Sequence, residues 1–145
     1  MRPRVTTALL CDGAMQIGGK WTLQGVFDSF FYAPGTAPPI KVALFFIYLV
    51  LSGVVVTNEE KIQVEIRAAS EPLSPDDRPL FRATLTLKAQ PNAAPALTEN
   101  ASLPVPVALP VAGVQFQKPG SYNVVVIYGG EVIGVVPFDV RENPR

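Results

Sequence analysis

The fold of this protein is decided by residues 118–140, which read KPGSYNVVVIYGGEVIGVVPFDV. Two apolar segments rich in β-branched residues, Tyr122–Tyr128 and Val132–Val140, lie on either side of the pair Gly129-Gly130. A glycine pair between two such segments is a strong signal for a β-hairpin, because tight hairpin turns need backbone conformations with positive φ. We therefore expect two antiparallel strands here, with Gly129 and Gly130 as structural turn residues.

The turn that precedes this hairpin carries a second signal. Lys118-Pro119-Gly120 is followed by Ser121 and Tyr122 at the start of the apolar strand. A tyrosine in this position is typical of the tyrosine corner of immunoglobulin-like sandwiches, in which the hydroxyl bonds to nearby backbone. Antibody domains have a cysteine two residues later, where this chain has Val124. Tyr122 is therefore predicted to have a structural role at a corner of the fold.

The remainder of the chain repeats the pattern of short apolar segments between turns. Its 145 residues include 15 prolines and 11 glycines, and no long stretch keeps a helical period. A hairpin is predicted at Gly18-Gly19, with Trp21 as a structural residue of its second strand and Asp28–Tyr32 as an extension of that strand. The predicted strands before residue 118 are Val5–Asp12, Met15–Ile17, Trp21–Phe27, Val42–Leu51, Lys61–Ala68, Leu80–Lys88 and Leu103–Leu109, the last an edge strand because of its prolines.

With the C-terminal hairpin there are about eight strands, enough for a sandwich of two sheets. The sequence therefore predicts an all-β fold, an antiparallel two-sheet immunoglobulin-like Greek-key sandwich. Its length is that of one domain, so residues 1–145 are expected to form a single unit.

The strand patterns also predict what each face of a strand meets. Lys61–Ala68 alternates, with Ile62, Val64 and Ile66 directed inward and Lys61, Gln63, Glu65 and Arg67 directed to solvent. In contrast, Val42–Leu51 and Tyr122–Tyr128 are apolar on both faces. A two-layer sandwich leaves the outer face of each sheet in water, so a loop or another subunit is expected to cover these strands.

The composition excludes several classes of function. The chain has no histidine and a single cysteine, Cys11, which removes Ser-His-Asp and Cys-His catalysis, the usual zinc sites and an intramolecular disulfide. Lys+Arg and Asp+Glu both number 12, so no excess of positive charge favours nucleic acid or an anionic membrane. We therefore expect no enzyme activity, no cofactor, no metal site and no nucleic-acid partner.

Three local patterns that could carry chemistry have simpler interpretations. The carboxylates of Asp28, Glu59-Glu60 and Asp76-Asp77 lack the alternate spacing of calcium loops and are interpreted as solvated turn charges. Cys11 lies in an apolar strand beside Asp12 and is interpreted as a buried structural residue. Gly18-Gly19-Lys20 leads into a strand, so it is a hairpin turn and not a phosphate-binding loop.

Two apolar segments were considered as membrane or targeting signals. The six residues Val5–Leu10, which follow Arg4 and precede Cys11, are too short and too polar for the apolar region of a lipoprotein signal. The run Val42–Val56 is shorter than the roughly 20 residues that a spanning helix needs. The sequence predicts no membrane span and a cytoplasmic location, while a lipoprotein or an extracellular assembly stays open as an alternative.

Several patches together resemble a family of small bacterial proteins that is known only as a domain of unknown function. They are Leu9–Ala14, Gly19–Phe27, the apolar strand after Pro38-Pro39, Leu109-Pro110, Pro119–Tyr122, Gly130-Glu131 and Val136–Val140. The resemblance covers most of the chain, and this sequence departs from it in its longer Gly53–Thr57 segment and its low charge. It implies a β-sandwich and a cytoplasmic bacterial source, and it implies no activity.

The one aromatic cluster that suggests a binding surface is Phe30-Phe31-Tyr32, which lies next to a proline-containing loop. Only 17% of residues are charged and the net charge is zero, so little electrostatic repulsion opposes association. The sequence therefore favours a non-catalytic interaction module that binds a partner protein or itself. The alternatives are a structural subunit of a homo-oligomer or filament, and a binder of a small ligand or carbohydrate.

Overall fold

The computed structural model describes residues 3–53, 59–69, 78–88 and 104–144, and within these ranges the chain forms eleven strands. They are β1 (Arg4–Ile17), β2 (Lys20–Phe27), β3 (Ser29–Tyr32), β4 (Ile40–Lys41), β5 (Phe45–Ser52), β6 (Glu59–Ala68), β7 (Phe81–Lys88), β8 (Val105–Val111), β9 (Gln115–Phe116), β10 (Gly120–Tyr128) and β11 (Glu131–Glu142). The predicted loop at residues 89–102 lies outside the described residues.

The strands form two main sheets. Sheet A has the order β2-β1-β5-β8, sheet B has the order β3-β11-β10-β6-β7, and β4 and β9 make a short ribbon of their own. Immunoglobulin-like sandwiches place strands B and E side by side in one sheet and strands C, F and G in the other. Here β5 and β8 correspond to B and E, while β6, β10 and β11 correspond to C, F and G. The predicted immunoglobulin-like sandwich is confirmed.

The core lies between the two sheets because alternate residues of each strand face inward. On β5 the inward side chains alternate with half-buried ones along the whole strand, and on β6 Ile62, Val64 and Ile66 are fully buried as predicted. The largest fully buried side chains of the core are Phe45, Ile47, Leu49, Leu51, Ile62, Ile66 and Phe116. One continuous apolar layer therefore joins sheet A, sheet B and the β4-β9 ribbon.

Both glycine hairpins form where the sequence predicts them. Ile17 pairs with Lys20 across Gly18-Gly19, and Tyr128 pairs with Glu131 across Gly129-Gly130. The Tyr122 hydroxyl donates a hydrogen bond to the carbonyl oxygen of Lys118, which is the bond that a tyrosine corner requires. Because Tyr122 lies near the start of β10, the strand that corresponds to F, the corner has its usual place in the fold.

The prediction for Asp28–Tyr32 was wrong. These residues do not extend β2 but pass to the other sheet, where β3 pairs in parallel with β11. Among the described strands this pair is parallel, whereas the other pairs are antiparallel. The chain changes sheets at Asp28, and the rings of Phe27 and Phe30 then meet in the core at a centroid distance of 4.7 Å. Apolar alternation is the same on either sheet, so the sequence pattern could not reveal this step.

Part of the outer face of sheet A is covered by the chain itself. Tyr48 pairs with Leu9 and lies on this face, yet the rings of Trp21 and Tyr48 are 6.2 Å apart. Trp21 pairs with Gln16, which lies seven positions after Leu9 in β1. If β1 were straight, Gln16 would therefore lie about 23 Å from Leu9, and Trp21 would lie equally far along the sheet from Tyr48. The β1-β2 hairpin must therefore bend back over the sheet, and it is the loop that the apolar outer face of β5 requires.

The bend lies where Asp12 and Gly25 are opposite each other in the β1-β2 pair. Gly25 has a φ of +64°, a conformation that side chains other than glycine rarely adopt. A Cβ atom built on Gly25 would also lie 2.3 Å from Oδ2 of Asp12, so the Asp12 side chain occupies the space that a side chain at residue 25 would need. Gly25 is therefore the residue that permits the hairpin to turn away from the plane of the sheet.

The prediction for the outer face of β6 was wrong in one respect. Glu65 and Arg67 point away from the core as expected, but both are buried, and Glu65 is only 2% exposed. Nε of Arg67 lies 2.6 Å from one carboxylate oxygen of Glu65, and Nε of Arg82 lies 3.0 Å from the other. The two guanidinium groups satisfy the buried charge, and the sequence could not show this because the cross-strand register was unknown.

Candidate interaction surface

The predicted aromatic cluster lies on β3, at one edge of sheet B, and the alternation of the strand separates its three members. The Phe30 ring is in the core, with ring-centroid distances of 4.9 Å to Phe45 and 5.7 Å to Phe138. Tyr32 is half-buried against the same core. Phe31 points the other way and is 59% exposed. Of the three side chains, Phe31 is thus the one that the structure presents to solvent.

A cleft of ≈ 420 Å³ lies beside Phe31. One wall is β3 with the turn that follows it, and the other is the segment from β4 into β5. Its lining residues are Asp12, Phe30, Phe31, Tyr32, Ala33, Thr36, Ile40, Lys41, Val42, Ala43, Leu44, Phe45 and Val140. The cleft is therefore formed where sheet B, sheet A and the β4-β9 ribbon come together.

Hydrogen bonds hold both walls in place. The Thr36 hydroxyl donates to the carbonyl oxygen of Ala33 at 2.6 Å, and the Thr36 amide donates to the same oxygen at 3.2 Å, which closes the turn after β3. On the other wall, Ile40 pairs with Phe116, and the amide of Val42 donates to the carbonyl oxygen of Val114 at 3.3 Å. The cleft is consequently preformed and does not depend on a bound molecule for its shape.

The floor of the cleft is apolar and its rim is exposed. Ile40 and Phe45 are core residues and line it from below. Phe31 and Leu44 line it from the two walls, and Leu44 is 53% exposed. Exposed apolar side chains are ordinary singly, whereas here two of them line one cleft. Leu44 has no sequence signal for exposure, because the apolar run Val42–Leu51 predicts a strand that is buried on both faces.

Two residues of opposite charge, Asp12 and Lys41, complete the polar part of the lining. Asp12 comes from the bend of β1 and Lys41 from β4. The pair leaves the cleft without a net charge, so the cleft has no electrostatic preference for an anionic or a cationic partner. The interactions that this lining offers are therefore apolar contact and hydrogen bonding.

The cysteine and the described carboxylates that could carry chemistry do not line this cleft, although Cys11 is next to Asp12, which does. Cys11 is fully buried, and this burial, together with the charge of Asp12, raises the pKa of its thiol. A buried thiol with a raised pKa is a poor nucleophile, in agreement with the structural role that the sequence predicts. Its sulfur lies 3.8 Å from the carbonyl oxygen of Phe46.

The carboxylates do not converge. Asp28 accepts a hydrogen bond from the Ser29 hydroxyl at 3.3 Å, whereas Glu60 accepts one from the Tyr128 hydroxyl at 2.8 Å. The bond to Glu60 raises the pKa of Tyr128. Asp76-Asp77 lies outside the described residues. Among the residues that are described, there is no group of three acidic, cysteine or histidine side chains that could hold a metal ion.

The described part of the chain contains no helix of the length and hydrophobicity that crossing a membrane requires.

Comparison with known proteins assigns the chain to a family. The chain belongs to the family of unknown function DUF6941, whose profile matches residues 6–141. This agrees with the resemblance to a domain of unknown function. Comparison with the curated proteins finds no significant match.

Solved structures resemble the chain at the level of fold. An immunoglobulin-like protein from Pseudomonas aeruginosa is 16% identical, with a TM-score of 0.40, over 97% of this chain and 98% of that one. A β-glucosidase from Listeria innocua is 12% identical, with a TM-score of 0.48, over 97% of this chain. A β-D-glucoside glucohydrolase from Trichoderma reesei is 11% identical, with a TM-score of 0.47. The chain spans 16% of the length of the Listeria enzyme and 19% of that of the Trichoderma enzyme.

Proposed function

We propose that this chain is a non-catalytic interaction module that binds a partner protein through the cleft beside β3. The observation that carries the proposal is the pair of exposed apolar side chains, Phe31 and Leu44, on opposite walls of one preformed cleft with a core floor. Apolar surface of this kind gains free energy when a partner removes it from water. We name this surface, formed by Phe31, Leu44, Asp12 and Lys41 around the cleft, the β3 cleft.

The chemistry of the chain supports binding over catalysis. The sequence has no histidine, and its one thiol is buried with a raised pKa. The acidic residue in the β3 cleft, Asp12, is accompanied there by Lys41 and not by a second carboxylate. General acid–base catalysis needs groups with suitable pKa values within reach of a common reacting atom.

Two broader proposals accompany this one. The continuous apolar core supports one domain over residues 1–145. A single cysteine, which is buried in the structure, supports a reducing compartment such as the cytoplasm.

The test uses a displayed library of short random linear peptides, selected on the folded full-length chain. Phe31→Asp places a charge on the β3 cleft. The matched control is Val135→Asp, because Val135 is also exposed, at 49%, lies on a strand and does not line the cleft. We expect enriched peptides that bind the wild type and Val135→Asp equally and lose binding to Phe31→Asp.

The result that overturns the proposal is equally definite. Peptides that bind all three proteins alike, or no enriched peptides at all, would show that the β3 cleft does not recognise protein segments. Light scattering after gel filtration tests self-association over a wide concentration range. A mass that grows with concentration in the wild type and in Phe31→Asp would favour the structural-subunit alternative instead. A constant mass near the 15.6 kDa of one chain leaves a partner protein as the ligand.

A further inference from the structure

The backbone of β3 has one side paired and one side open. On the paired side, the carbonyl oxygen of Tyr32 accepts a hydrogen bond from the amide of Asn143 at 2.8 Å, and that of Asp28 accepts one from Asp139 at 3.2 Å. Backbone groups of alternate residues in a strand point to alternate sides. Residues 28, 30 and 32 therefore face β11, and Ser29 and Phe31 direct their amide and carbonyl groups to the opposite side.

That opposite side lies at the edge of sheet B and along the β3 cleft. No other described strand pairs with β3 there, since the order of the sheet begins with β3 and continues to β11. Three residues of β3, including Phe31, line the cleft. The cleft thus offers backbone donors and acceptors beside an apolar floor.

Proteins usually protect an open edge, and two of the other edges among the described strands carry such protection. The edge strand β8 contains Pro106 and Pro110, and the edge strand β7 contains Arg82. Proline and charged residues on an edge discourage the addition of another strand. β3 reads Ser-Phe-Phe-Tyr and has neither, so its shortness is what limits pairing along it.

We propose that the β3 cleft binds its partner by strand addition, with a short extended segment of another protein pairing with Ser29 and Phe31. This inference rests on the proposed function and specifies the chemistry of the ligand. The open groups of two residues fit a segment of about four residues, because pairing uses alternate residues of each strand. The segment is uncharged where it enters the cleft and directs an apolar side chain to the floor, since Asp12 and Lys41 leave no net charge there.

The decisive comparison is between Phe31→Ala and Phe31→Pro. Both variants lose the ring, but only proline also loses the amide donor at the open edge. Proline is tolerated in an edge strand when its nitrogen faces solvent, and the bonds from residues 30 and 32 to β11 remain. The probe is the peptide with the highest affinity from the displayed library, and its Kd is measured against the wild type and both variants.

Strand addition predicts that Phe31→Pro binds the peptide about tenfold more weakly than Phe31→Ala does, because one backbone donor is lost. The same bond is tested from the peptide side by methylating its amide nitrogens one at a time. We expect the weakening to alternate along the peptide, with every second position sensitive. This second series decides the question if Phe31→Pro does not fold.

Each other outcome overturns a defined part of the inference. One outcome is that Phe31→Ala weakens binding, that Phe31→Pro has the same Kd for the peptide as Phe31→Ala, and that no methylation changes this Kd. In that case the Phe31 side chain binds the peptide and strand addition is wrong, while the proposed function stands. If neither variant weakens binding, the proposed function fails with it. If the wild type forms a dimer that Phe31→Pro converts to a monomer, the occupant is a second copy of this chain and not another protein.

Discussion

Replacement of Gly25 by alanine tests whether the bend in the β1-β2 hairpin is built as the structure indicates. Two separate costs are expected. Gly25 has a φ of +64°, and holding alanine in the left-handed region costs about 1–2 kcal/mol. The added Cβ atom would also lie 2.3 Å from Oδ2, 2.9 Å from Cγ and 3.1 Å from Cβ of Asp12. The Asp12 side chain must therefore move, and we expect a total loss of about 2–3 kcal/mol in the free energy of unfolding.

The assay is urea denaturation followed by tryptophan fluorescence. Trp21 is the single tryptophan of the chain, and its ring contacts Tyr48 on the outer face of sheet A, so its emission reports on the hairpin. With a denaturant dependence of about 1–3 kcal/mol per molar urea, the midpoint should fall by about 1 M. Gly13→Ala is the matched control. Gly13 has no positive φ, and its added Cβ would meet Gln24 at an ordinary 3.4 Å, so a change within about 0.5 kcal/mol is expected.

A double-mutant cycle with Asp12→Ala separates the two costs. Asp12→Ala removes the carboxylate from the contact, so Gly25→Ala should cost only about 1–2 kcal/mol in that background, the price of the backbone conformation. An equal cost in both backgrounds would show that the close approach of Asp12 is unimportant. A cost no larger than that of Gly13→Ala would show that the left-handed bend at residue 25 is not required for folding.

Three further predictions concern groups outside the bend. Cys11 should react with a thiol reagent at neutral pH only when the protein unfolds, because the thiol is buried and its pKa is raised; rapid labelling of the native protein would contradict this. Tyr122→Phe should lower the free energy of unfolding by about 1 kcal/mol through loss of the hydrogen bond to Lys118, measured by urea denaturation, and an unchanged midpoint would show that the corner bond adds nothing. Ser121→Ala should raise the pKa of Asp139 in a carboxyl NMR titration, because the serine hydroxyl, at 2.8 Å, is the main cause of the lowered pKa. The pKa of Asp139 is lowered in the folded state, so the interaction stabilises the fold at pH values above the unfolded-state pKa of Asp139. This stabilisation is lost as the pH falls through the folded-state pKa, and Ser121→Ala should reduce the stability that is lost on acidification.

The parts of the fold that could be predicted from sequence are those with a local cause. Gly18-Gly19 and Gly129-Gly130 form hairpin turns because glycine adopts positive φ at little cost. Tyr122 bonds to the backbone only four residues earlier, so the sequence contains both partners of the corner. Burial of Ile62, Val64 and Ile66 follows from alternation within a single strand. None of these features depends on which strands become neighbours.

The parts that could not be predicted depend on neighbours. Asp28–Tyr32 alternates as an extension of β2 would, and only its parallel pairing with β11 places it in the other sheet. Glu65 is a charged residue in an outward position, and its burial follows from the register that sets Arg82 opposite it. Leu44 belongs to the β3 cleft because β4 pairs with β9 and holds the segment before β5 against β3. Such effects need the register, which hydrophobic periodicity leaves undetermined.

The surface that we propose for association is the β3 cleft, and not the outer face of β5 that the sequence suggests. The sequence suggests that a second subunit could cover the apolar outer face of β5, but the β1-β2 hairpin brings Trp21 onto Tyr48 there. Asp12, which lies opposite Gly25 at this bend, also lines the β3 cleft. Phe31 is an exposed apolar residue on the edge strand β3, and it lines that cleft. The same hairpin thus covers Tyr48 on sheet A and contributes Asp12 to the β3 cleft, which is where we propose that a partner binds.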